Sequence, residues 1–224
     1  MAQRPVFRIC DAMPYYRAES VTFQYFGGFA ASQQKKCVKS LQDAFRALHP
    51  QEKVLEISSR SETELGVQLS AFNLTMRTPD GRICTVETAF QAGKVFENGG
   101  PYRDLLGKTS REAKKDPRLK ESGKLISFCF SGELFPLEPR TCFYNWPYLS
   151  ALHQHPELTE PLMEYTAFTD IAFNPQKSIN CQACAAAVYV SLRRNGLVEK
   201  ALSDPQSFRD IVYGNRNGRP ICER

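Results

Sequence analysis

No run of the chain approaches the ~18 consecutive apolar residues that a membrane-spanning helix requires, so no membrane partner is expected. The stretch from Met1 to Arg8 holds no apolar core of a secretory signal. Internal repeats and low-complexity segments are absent, which leaves out solenoids and disordered chains. Neither a Walker loop nor a dinucleotide-binding glycine pattern occurs, so the phosphate cradles that those motifs build are missing. Histidine is scarce, with three residues, and tryptophan occurs once, at Trp146.

That scarcity bears on metals. The one histidine pair is His153-x-His155 and the one close cysteine pair is Cys181-x-x-Cys184. A zinc site wants a second cysteine pair or histidines at ligand spacing. Two cysteines in an alanine-rich helix read instead as small buried hydrophobes, and no βαβ context precedes them to make a thioredoxin-type motif. No metal and no cofactor is therefore expected. The eight cysteines, Cys10, Cys37, Cys84, Cys129, Cys142, Cys181, Cys184 and Cys222, are scattered through a chain too long for a disulfide miniprotein. Free thiols in a reducing, cytoplasmic setting are the expectation.

What is present describes a globular chain of 224 residues, 42% hydrophobic and 24% charged, with net charge +5 and pI about 8.8. That length suits one domain with an elaboration. The mild basicity permits nucleic-acid binding without demanding it.

Aromatic and β-branched runs at 5–10 and 20–26 predict strands. Ser32 caps a predicted helix over 33–49, with Val38, Leu41, Phe45 and Leu48 on one face and Pro50 as its stop. A strand at 53–58 is followed by a capping box, Ser61 with Glu64, for a short helix ended by Gly66. Residues 69–76 read as extended, Thr78 to Gly81 as a turn, and 83–85 as a short return strand. A helix over 86–97 comes next, closed by the breakers Asn98 to Pro101. Further on, a strand is predicted at 125–130, a loop at 134–140, helices at 149–155, 158–165 and 178–192, and a loop at 168–175 around Asp170. Ser178 or Asn180 is expected to cap the last helix, and the tail from Ser203 reads as polar and irregular. The expected fold is α+β: a helix-rich single domain with a β-containing extension at 1–60, a core at 61–202 and a tail at 203–224.

Within the helix at 86–97, Glu87, Gln91 and Lys94 are spaced i, i+4 and i+7. At about 3.6 residues per turn they share one stripe, flanked by Phe90. A carboxylate, an amide and an amine on one face are either a solvated ion-pair face or an acid/base group beside a nucleophile. The segment carrying Lys108, Arg111, Lys114, Lys115, Arg118, Lys120 and Lys124 is likewise either a phosphate-binding surface or a solvated face.

Glu87-x-x-Phe90-Gln91-Ala92-x-Lys94 resembles the E-x-x-F-Q-A-x-K signature of the NADAR family, proteins that act on ADP-ribose and related N-glycosides. Leu69-Ser70-Ala71-Phe72 is similar to its L-S-N-F start, and Glu112-Ala113-Lys114 to its E-A-K segment. Asn145-Trp146 stands where many members have D-W, and Asp170 with Phe173-Asn174 resembles the late D-x-x-W-G. Asn180 stands where the family has an Asn opening its last helix. The runs 55–59, 94–102 and 168–175, with the N-terminal extension, resemble one branch more closely, the antitoxins encoded beside DarT-type DNA ADP-ribosyltransferases. Ala71, Asn145 and Phe173-Asn174 depart from the family pattern.

The resemblance implies an ADP-ribosyl glycohydrolase that removes ADP-ribose from the amino group of guanine in DNA, as antitoxin to a DarT-type toxin. Its partners would be ADP-ribosylated DNA, ADP-ribose as product and the cognate toxin. Glu87 and Lys94 become the catalytic pair. Ser70, Phe72, Phe90, Gln91, Arg111, Lys114, Trp146, Asp170 and Asn180 become substrate-binding residues. The alternatives are an N-glycosidase acting on riboflavin-pathway intermediates and a non-catalytic antitoxin that binds the toxin.

Overall fold

The structure is a computed structural model that describes residues 1–28 and 30–214. Residues 215–224 of the expected polar tail, Cys222 among them, lie outside the described residues. In chain order the elements are β1 (Ala2–Ile9), β2 (Tyr16–Phe23), α1 (Ala31–Leu48), β3 (Val54–Glu56), α2 (Glu64–Gln68), β4 (Thr75–Arg77), β5 (Ile83–Thr85), α3 (Val86–Ala92) and β6 (Lys94–Phe96). A 3-10 turn (Arg103–Gly107) leads to α4 (Ser110–Lys115), α5 (Arg118–Glu121), β7 (Leu125–Phe130), β8 (Glu133–Phe135), α6 (Cys142–His153), α7 (Pro156–Leu162), β9 (Ala167–Thr169), α8 (Gln182–Arg194), α9 (Val198–Ala201) and α10 (Pro205–Tyr213). The fold is α+β, as expected, and among the described residues no helix is long and apolar enough to cross a membrane.

The main sheet has the order β2-β1-β9-β3. β1 is antiparallel to β2 and β9, and β9 is parallel to β3. Alternation along each strand sends neighbours to opposite faces. Val6, Val54 and Ala167 join a small core with Val21, Phe23, Leu41 and Phe45 under α1. Phe7, Leu55 and Phe168 join the large core around α6 and α8. The first 60 residues thus share one sheet with residues 167–169. A second sheet, β6-β7-β8, and the β4-β5 hairpin flank α3.

Several local expectations are corrected. α1 begins at Ala31, because the Ala30 carbonyl accepts from the Gln33 and Gln34 amides and no side chain caps it; Leu48 faces solvent. Thr63, not Ser61, caps α2, and Gly66 lies inside that helix. A Cβ on Gly66 would sit 2.0 Å from the Glu56 carbonyl oxygen, so only glycine permits this approach. Residues 70–74 form a turn, with the Asn73 and Leu74 amides both 2.8 Å from the Ser70 carbonyl, and only 75–77 is extended. Residues 133–135 pair with β7 although a loop was expected.

α6 runs through the aromatic cluster from Cys142, with Pro147 inside it, because burial of Phe143, Tyr144, Tyr148 and Leu149 outweighs the lost hydrogen bond. Pro156 begins α7 rather than only breaking the chain, its fixed φ suiting the first helical position. β9 replaces part of an expected loop. Most of the described tail is helical: Asp204 Oδ1 accepts from the Gln206 and Ser207 amides, both at 2.9 Å, and α10 buries Phe208 and Val212.

Candidate active site

The expected helix at 86–97 is shorter. α3 ends at Ala92, and Lys94 opens β6, paired with Phe128 of β7. The stripe survives the change. Gly93, the C-cap, has φ −77 and ψ −9, close to helical values, so Lys94 still projects along the Glu87 face. A Cβ on Gly93 would meet the Phe143 ring at 2.3 Å, which explains the small residue at the crossing.

The start of α3 is fixed from three sides. Thr85 and Thr88 form a reciprocal capping box, at 3.2 and 3.0 Å. Ser110 Oγ, at the start of α4, lies 2.8 Å from Thr85 Oγ1 and donates to the Phe72 carbonyl. The Glu87 amide donates to the Ala71 carbonyl at 2.8 Å. The turn at 70–74 is itself clamped, with Tyr148 Oη donating to the Leu69 carbonyl and Gln182 Oε1 accepting from the Ala71 amide, both at 2.8 Å. Gln182 Nε2 also donates to the Ile57 carbonyl.

Glu87 and Gln91 are buried and Lys94 is half-buried. Lys94 Nζ donates to Gln91 Oε1 at 2.7 Å, and Gln91 Nε2 donates to Glu87 Oε1 at 2.8 Å. Lys114 Nζ, from α4, stands 3.7 Å from that same Glu87 oxygen. Both amines ride over phenylalanine rings, Lys94 over Phe90 at 4.8 Å and Lys114 over Phe72 at 4.9 Å. Burial holds the Lys94 amine below the ordinary lysine range; Glu87 opposes that shift and the Lys114 charge adds to it. The group therefore offers a carboxylate and a partly desolvated amine on one rigid turn. That is the equipment for nucleophilic attack at a carbonyl-like carbon with a proton acceptor alongside.

Two tyrosines that the sequence reading missed complete the surroundings. Tyr144 packs edge-on to Phe90 at 5.3 Å and beside Tyr148 at 6.1 Å. Burial raises its phenol well above the ordinary value, with Tyr148, Glu87, Cys181 and Asp170 adding to the shift. Spacing at i and i+4 within the aromatic run was the available signal for Tyr144 and Tyr148.

Asp170 is buried, and its charge acts on the Tyr144 and Tyr148 phenols. Its Oδ1 accepts from the Ala172 and Phe173 amides at 3.0 and 3.2 Å. Burial raises its carboxyl and the neighbouring Glu56 raises it further. Glu56, which the sequence reading also missed, accepts from Ser58 Oγ, Thr169 Oγ1 and the Ile171 amide at 2.6, 2.6 and 2.9 Å.

The remaining expected residues are dispersed. Ser70 is buried, and its Oγ accepts from the Phe72 amide at 3.4 Å. Arg111 is exposed on α4, with no ion pair among the described residues. Lys108 and Arg118 are engaged by Asp104 and Asp116, whereas Lys115, Lys120 and Lys124 stay exposed. Trp146 lies about 200° round α6 from Tyr144 and packs against Phe135 and Phe208, at 5.9 and 5.4 Å. It is thus a packing residue, outside the Glu87 group. Phe173 packs on Phe7.

Neither Ser178 nor Asn180 caps α8; Cys181 takes the N-cap position, and Asn180 Oδ1 is buried with no hydrogen-bond partner. His153 pairs with Glu199 and His155 with Glu157, away from Cys181 and Cys184, whose thiols burial pushes up, Cys184 to about 12.

No curated protein matches the chain. The family model described as DarT1-associated NADAR antitoxin matches residues 2–220, so the chain that carries this glutamate, glutamine and lysine belongs to the DarT1-associated NADAR antitoxin family.

Proposed function

We propose that the protein is an N-glycosidase that removes ADP-ribose from the exocyclic amine of guanine in DNA, and that this activity underlies its antitoxin role toward a DarT-type toxin. The observation that carries the reading is the hydrogen-bonded line from Lys94 through Gln91 to Glu87, with the lysine amine below its ordinary range. The bond to be cut is an N-acetal, and its anomeric carbon is a masked aldehyde.

In this mechanism the neutral Lys94 amine bonds to the anomeric carbon, and the proton it loses passes to Glu87. The bond to guanine breaks with its electron pair on the exocyclic nitrogen, which takes that proton. The bond from the anomeric carbon to the ring oxygen then breaks with its electron pair on that oxygen, which takes the remaining proton of the Lys94 nitrogen, leaving a Schiff base on Lys94. Water then adds at the same carbon, one of its protons passing through Glu87 to the Schiff-base nitrogen; the carbon–nitrogen bond breaks with its electron pair on Lys94, which takes the remaining hydroxyl proton, and ADP-ribose leaves as the aldehyde. Gln91 serves the ribose hydroxyls. Phe72, beside the pair and partly exposed, and Phe90, under Lys94, are apolar surfaces for the sugar or base. Arg111, together with Lys114 and the start of α8 near Asn180, serves the diphosphate. Ser70 and Asp170 position the flanking loops. The exposed Arg111, Lys115, Lys120 and Lys124 suit a polyanion better than a small pathway intermediate.

The test is incubation with a guanine-ADP-ribosylated oligonucleotide in the absence of toxin. Release of free ADP-ribose, its loss in Lys94→Ala, and borohydride trapping of an adduct on Lys94 are the expected results. An oligonucleotide that keeps its ADP-ribose under all conditions overturns the activity; release without a trappable adduct overturns the covalent step.

A further inference from the structure

Two lysines approach the catalytic carboxylate, and they are not equivalent. Lys114 Nζ stands 3.7 Å from Glu87 Oε1, while Lys94 Nζ meets Gln91 Oε1 at 2.7 Å and among the described residues forms no salt bridge with a carboxylate. The Gln91 amide sits between, donating its N–H to the oxygen that Lys114 faces. Glu87 and Lys94 are seven residues apart, about two helical turns, farther than the i,i+4 spacing of ordinary helix ion pairs. The Gln91 amide bridges that gap and offers the lysine a neutral acceptor.

We propose that Lys114 is the counter-ion of Glu87 and that Gln91 is a spacer keeping Lys94 out of that ion pair. Beyond the substrate contacts proposed above, both reserve Lys94 as the free amine; the inference rests on the reading of Lys94 as nucleophile.

The placement of Lys114 supports this. Its side chain is 56% exposed, but its ammonium is turned inward over the Phe72 ring. A cation there offsets the charge of Glu87 and repels a proton on Lys94. A neighbouring cation is an established way to activate a lysine. The charged groups acting on Lys94 are Glu87 from α3 and Lys114 from α4. The Tyr144 phenol of α6 adds no charge near neutral pH, because burial pushes its ionisation well up.

Competitive labelling with trace acetic anhydride across pH, read on the Lys94 peptide by mass spectrometry, measures the free-amine fraction without any substrate. In the native chain the midpoint is expected below the ordinary value of about 10.4. In Lys114→Gln it is expected to rise by about one pH unit, as it is in Gln91→Ala. Lys114→Arg, which keeps the charge, is expected to hold the native midpoint. Should Lys114→Gln lose its fold, Glu87→Gln serves in its place and must move the midpoint down. An unmoved midpoint in Lys114→Gln, or an equal rise in Lys114→Arg, overturns the proposal. Because labelling needs no substrate, failure to release ADP-ribose would sink the proposed activity alone. Release with an unmoved Lys114→Gln midpoint would sink the division of roles alone.

Discussion

Among the described residues Glu56 and Glu87 are the two most buried glutamates, 2% and 5% exposed. Their surroundings differ. Glu56 accepts two hydroxyls and one backbone amide, so its lone pairs are occupied by groups that themselves need a partner. Glu87 accepts one amide and faces one ammonium at the looser distance of 3.7 Å. A buried acid saturated with short bonds holds structure together; a buried acid with open acceptor positions is available for chemistry. Stability should therefore depend on Glu56, and reactivity on Glu87.

The largest expected break in that contrast is chemical. Glu87→Gln is predicted to slow ADP-ribose release at least about a thousandfold, roughly 4 kcal/mol in barrier, while the urea midpoint moves little. A variant that kept full activity would remove Glu87 from the mechanism. Glu56→Ala is predicted to cost about 3 kcal/mol in urea unfolding, because it strands the donors of Ser58, Thr169 and Ile171. Unchanged stability there would erase the distinction. Gly66→Ala pushes a methyl into the Glu56 carbonyl and is expected to cost about 2 kcal/mol; thermal melting checks it.

The mildest perturbation is pH. Release is expected to rise about tenfold per unit as the Lys94 amine loses its proton, levelling off below the ordinary lysine value of about 10.4. The sign in stability agrees. With its folded value lowered, Lys94 disfavours folding most at low pH, and that penalty fades as pH rises from the folded value to the unfolded one. Lys94→Met should accordingly raise Tm by about 2 °C near neutral pH while abolishing release; a fall in Tm would show Lys94 to be a stabilising residue.

The contrast also marks what the sequence could convey. Glu87, Gln91 and Lys94 were legible because their spacing is local, and the near-helical Gly93 preserved the stripe where the helix stopped early. The stop itself was hidden, since it comes from pairing with β7, more than 30 residues on. Lys114 was legible as a basic residue, but nothing in its own segment shows that it turns toward Glu87. Glu56 and Gln182 went unnoticed because their partners, Thr169 and Ile171 for one and Ile57 and Ala71 for the other, lie more than 100 residues away. β9 shows no period-2 signal because it is buried on both faces. Asp204 with Pro205 did carry a cap signal for α10, which polarity alone obscured.

β9 has one more consequence. Among the described residues it is the one strand between β1 and β3 in the main sheet, and it supplies Thr169 to the Glu56 cage. A ribosome delivers β1 and β3 long before it delivers residue 169. Until then both strands have an open edge, and the acid at Glu56 lacks two of its three donors. An interrupted chain thus exposes strand edges that invite proteolysis or aggregation. Closure of the main sheet therefore waits until residues 167–169 have been made.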